Sequence, residues 1–81
     1  MKTEINLNVI KEQIEENGRL FEKASQEKRE AKINYIEALL SFGNDQHETY
    51  TLLQYQLADF KVMQISNTIQ ELRQEVKKWT N

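Results

Sequence analysis

Residues 41–45 read Ser41-Phe42-Gly43-Asn44-Asp45, and the reading of this short stretch decides the fold. It is the one strong interruption in a chain of 81 residues that has no proline and two glycines. Proline is the strongest helix breaker and a common turn residue, so its absence favours long continuous helices. Gly43 can take the left-handed conformation just past a helix end. Asp45 can cap the following helix, with Glu48 three residues on in capping-box spacing; Asn44 is an equally good cap. The expected organisation is a single helical domain over 1–81, with a helix at about 4–42, a turn at about 43–45 and a helix at about 46–79.

Working outward from the turn, apolar side chains recur at alternating spacings of three and four. Upstream they fall on Leu7, Ile10, Ile14, Phe21, Ala24, Ala31, Tyr35, Ala38 and Phe42, with Asn17 and Lys28 as the two polar members of the series. Downstream the series runs through Tyr55, Ala58, Val62, Ile65, Ile69, Leu72, Val76 and Trp79 without a polar interruption. Such a stripe requires a helical neighbour to cover it. Reversing the chain at the turn opposes Tyr35 to Tyr55, Ala31 to Ala58, Lys28 to Val62, Ala24 to Ile65 and Phe21 to Ile69. Asn17 then meets Leu72, Ile14 meets Val76, and Ile10 meets Trp79. The same register sets Glu12 near Lys77, Glu16 near Arg73 and Lys11 near Lys78. Ala31 against Ala58 marks a narrow layer, and Lys28 can carry its ammonium outward along its aliphatic stem.

The fold class read from this pattern is all-α, an antiparallel two-helix hairpin. Gly18 supports an alternative, because Asn17-Gly18 could end a short first helix and give a three-helix bundle. The seam passes through Ile14, Asn17 and Phe21 without losing phase, which favours one continuous helix.

About half of the chain's apolar residues fall within 33–63, more than one seam can cover. Ile33, Ile36 and Leu40 form a second stripe before the turn. Leu53, Leu57 and Phe60, with Tyr50, form another after it. These seven are the candidate protein interface. Small scaffolds of bare helices are commonly stabilised by oligomerisation, so two hairpins are expected to associate into a four-helix bundle.

Composition excludes several other roles. Without cysteine there is no disulfide framework, thiolate metal site or cysteine nucleophile. His47 is the only histidine, and neither a metal-ligand set nor a catalytic triad can be assembled around it. The glutamates spread along the first helix read as a solvated face, and neither glycine belongs to a phosphate-binding loop. No cofactor, small-molecule substrate, membrane contact or enzymatic activity is expected. The opening residues lack the apolar core and cleavage site of a signal peptide, which points to a cytoplasmic protein or to export without a cleavable leader.

In length and two-helix plan the chain resembles the WXG100 family of small secreted helical proteins, which commonly act as secretion partners. That family's Trp-x-Gly turn would fall at Ser41-Phe42-Gly43, where there is neither a tryptophan nor an intervening residue. Its tyrosine-x-x-x-acid signal has its counterpart in Tyr55 to Asp59, inside the second helix and not beyond it. The leading expectation is a non-enzymatic protein-interaction module, a small homodimeric adaptor, inhibitor or structural component. The alternative is a nucleic-acid-associated regulator using Lys23, Lys28, Arg29, Lys32 and Lys61.

Overall fold

The computed structural model describes residues 2–41 and 44–80, with side chains described for 7–41 and 44–78. Two helices account for nearly all of it: α1, Lys2–Leu40, and α2, Asp45–Thr80. The α1 helix runs unbroken through Asn17 and Gly18, so the three-helix alternative is not what forms. Gly18 is tolerated because an internal glycine costs only about 1 kcal/mol, against a helix stabilised along its whole length by packing.

The two helices lie antiparallel in a rod of 63 × 16 × 14 Å. Its register is fixed by contacts between helices. The rings of Tyr35 and Tyr55 stack with centroids 6.4 Å apart and planes 25° from parallel, as the seam pairing requires. Further from the turn, Lys28 Nζ lies 2.6 Å from Asp59 Oδ1, and Lys61 Nζ lies 3.5 Å from Glu27 Oε2. Every seam position with a described side chain is buried or half-buried, from Leu7 to Ala38 on α1 and from Tyr55 to Val76 on α2. Lys28 keeps its stem in the seam, and its ammonium turns to Asp59, one helical turn short of Val62. Asn17 needs no partner across the seam: its Nδ2 donates to the Gln13 carbonyl of its own helix at 2.8 Å. Farther from the turn, two ion pairs form within a single helix, Arg19 with Glu16 at 3.3 Å and Lys78 with Glu75 at 3.7 Å.

At the turn, the Ser41 backbone N–H donates to the Ala38 carbonyl and the Ser41 hydroxyl donates to the Glu37 carbonyl. These two bonds close the last turn of α1. On the other side Asn44 caps α2: its Oδ1 accepts from the His47 backbone N–H at 3.1 Å, and its carbonyl accepts from the Glu48 N–H. Asp45 is therefore the first residue of α2 and not its cap, although its carboxylate still favours the positive helix N-terminus. The expectations for Phe42 and Gly43, and the Ile10–Trp79 layer, lie outside the described residues.

The core is thin. Among the described residues only Ala24, Ala38 and Thr51 are buried, at 2, 3 and 4 % exposure, and no large side chain is fully enclosed. Two helices meet along one line, so each large seam residue keeps a flank in solvent.

Candidate functional site

Residues two apart on a helix point about 200° away from each other, so a residue midway between two seam positions faces outward. Ile33 sits two residues from both Ala31 and Tyr35. Leu53 has the same relation to Thr51 and Tyr55, and Phe60 to Ala58 and Val62. Helical geometry thus turns these side chains away from the partner helix, and the structure places them there. All seven candidate interface residues, Ile33, Ile36, Leu40, Tyr50, Leu53, Leu57 and Phe60, are exposed, between 45 and 73 %. They form two separate stripes, one on the outer side of each helix, both confined to the half of the rod nearer the turn. Leu39 and Met63 are also exposed beside them.

On one flank of the hairpin, beside the α2 stripe, lies an open groove of about 430 Å³. Ala31, Thr51 and Ala58 line it together with Tyr50 and Leu57, and its charged margin includes Glu27, Glu30 and Lys61. The Ala31–Ala58 layer predicts this opening: short side chains leave the line of contact unfilled on one side. Thr51 is the seam residue that the apolar pattern passes over. Continuing the three-and-four spacing upstream from Tyr55 reaches Thr51 and then Glu48, but both are polar and do not register as core. Thr51 can be buried because its hydroxyl donates within α2, shared between the His47 and Glu48 carbonyls at 3.0 Å each.

The five cations of the nucleic-acid alternative are not equivalent. Lys23, Arg29 and Lys32 are exposed, whereas Lys28 and Lys61 face Asp59 and Glu27 across the hairpin. The hydrogen bond to Asp59 raises the Lys28 pKa above the ordinary lysine value; partial desolvation opposes this, and the charges of Asp59 and Tyr55 add to it. A phosphate backbone would have to compete with these carboxylates for two of the five groups.

Among the described residues, no group of three or more histidine, cysteine, aspartate or glutamate side chains is placed to hold a metal ion. His47 is exposed in the first turn of α2, where its backbone N–H serves the Asn44 cap. No buried side-chain nitrogen or oxygen lacks a hydrogen-bond partner among the described residues. Neither helix is long and apolar enough to cross a membrane over those residues. The exposed stripes present apolar area that another surface could cover. No protein-family model, curated protein or solved structure matches the chain.

Proposed function

We propose that the chain is a non-enzymatic protein-interaction module, a small helical adaptor, inhibitor or structural component that works as a homodimer of hairpins. One observation carries this reading: seven large apolar side chains stand in solvent on the outer sides of the helices, while among the described residues the contact between α1 and α2 encloses only alanines among its apolar members. Fully burying a large aliphatic or aromatic side chain contributes about 1.5–3 kcal/mol, so covering several of these half-exposed residues would favour association. Exposed apolar area concentrated in this way marks an association surface. Sedimentation equilibrium at micromolar concentration is the direct test. A two-chain species supports the reading, and a well-folded single chain overturns the homodimer. Native mass spectrometry of complexes from the source cell would then show whether a further protein accompanies the pair.

A further inference from the structure

Resting on that reading of self-association, the geometry points to one docking surface. We propose that a second copy of this chain docks antiparallel along the outer stripe of α2, with a two-fold axis beside Gln54 and Gln56. Tyr50 then faces the partner's Phe60, and Leu53 faces the partner's Leu57.

The accessible area sets the need. The chain exposes 6668 Å², whereas a globular monomer of 9.7 kDa exposes about 5,100 Å². The excess is about 1,500 Å², and a standard interface removes about 800 Å² from each partner. A second copy can therefore be accommodated entirely by surface that the rod has and a compact monomer would not.

Spacing selects the surface. Tyr50, Leu53, Leu57 and Phe60 are separated by three, four and three residues, an order that reads the same from either end. Two such stripes laid antiparallel stay in layer throughout, as knobs meet holes along a coiled-coil seam. A two-fold interface must be self-complementary in this way. The α1 stripe of Ile33, Ile36 and Leu40 has spacings of three and four, which reverse to four and three and fall out of step with themselves.

Charge agrees with spacing. Thr49 to Ala58 is a run of ten residues without a charged side chain, the longest in a chain that is 30 % charged. The axis consequently passes between glutamines, which can donate to and accept from their own counterparts. Asp59, the next acid, is engaged by Lys28 on the seam side and does not meet its symmetry mate. By contrast, the α1 stripe has Glu37 between Ile36 and Leu40, and Arg29, Glu30 and Lys32 lie in the turn just before Ile33. The resulting assembly is a layer of four helices with the α2 pair in the middle and the α1 stripes at the two edges.

The absence of cysteine allows single labels at chosen positions. Nitroxides on Gln56→Cys should lie within about 20 Å of each other in the dimer, while those on Glu71→Cys should be about 45–50 Å apart, set by the helical rise on either side of the axis. Leu53→Glu should weaken association at least about 100-fold, and Ile36→Glu should leave it unchanged. Mixing Leu53→Glu with Leu57→Lys should restore a one-to-one dimer, which a merely misfolded variant would not do. A wild-type dimer with close Glu71 labels, or one dissociated by Ile36→Glu and not by Leu53→Glu, overturns this docking surface and leaves self-association standing. A folded wild-type monomer at micromolar concentration overturns both.

Discussion

The two halves of the rod use their apolar residues in opposite ways. Far from the turn, the seam holds Ile14, Phe21, Ile65, Ile69, Leu72 and Val76, and the outer sides of both helices are mostly polar. Near the turn, the seam holds Ala31, Ala38, Thr51 and Ala58, and the large apolar residues stand outside. The distal half therefore stabilises the hairpin itself, whereas the proximal half leaves its large apolar side chains in solvent. Among the described residues, the Tyr35–Tyr55 stack gives the proximal seam its bulk. An inventory of apolar content alone would call the proximal half the core, and the direction of the side chains reverses that conclusion.

Substitutions in the two halves should separate these roles. Phe21→Ala, in the distal seam, should destabilise the fold by about 2–3 kcal/mol, below the full range for such truncations because Phe21 is only half-buried. Urea denaturation should show that loss at every protein concentration. Leu57→Ala should lower the midpoint only at concentrations where the wild type associates, because its loss acts through binding. Equal concentration dependence for both variants would erase the contrast.

Volume added to the seam gives the next largest effect. Ala24 is enclosed, so Ala24→Leu should cost about 1–3 kcal/mol through overpacking. Ala58 borders the open groove, and Ala58→Leu should cost less than about 1 kcal/mol. Thermal melts of the two variants measured side by side check the order.

Effects of about 1 kcal/mol should follow from local backbone features. A β-carbon at Gly18 would meet nothing within 4 Å, so Gly18→Ala should stabilise α1 by about 1 kcal/mol. Asn44→Ala removes the cap on α2 and should cost a similar amount, while Asp45→Ala should cost less. Circular dichroism melts distinguish these outcomes.

The smallest effect belongs to Lys28, which is partly exposed. Its folded pKa lies above the unfolded value, so its contribution is complete below about pH 10.4 and is lost as pH rises through the raised folded value. Asp59→Asn should flatten stability above that pH without creating a new dependence near neutrality. Denaturant titrations from about pH 8 to pH 12 would detect it.

The helices, their register and the surplus stripes were legible because each depends on spacing, which the chain displays directly. Tyr35 finds Tyr55 because both lie on three-and-four series that fold back at one turn. Other features depend on choices that spacing leaves open. Asn44 and Asp45 are both good caps, and the first helical hydrogen bond selects between them. Thr51 is hidden from an apolar search because its hydroxyl is satisfied by carbonyls of its own helix. Long charged side chains choose among several partners within one turn, which is how Glu16 comes to pair with Arg19 and Lys28 with Asp59. On the candidate surface, the membership of the outer stripes was readable, but their placement on opposite sides of the hairpin required the packed helices.

The stacked tyrosines have a practical consequence. They sit toward the closed end of the rod, while the chain's single tryptophan, Trp79, belongs to the far end of α2. Near-ultraviolet ellipticity from the stacked phenols and indole emission therefore provide two optical reporters at opposite ends of one molecule. Followed together during unfolding, they would reveal whether the rod opens like a zip from one end or comes apart all at once.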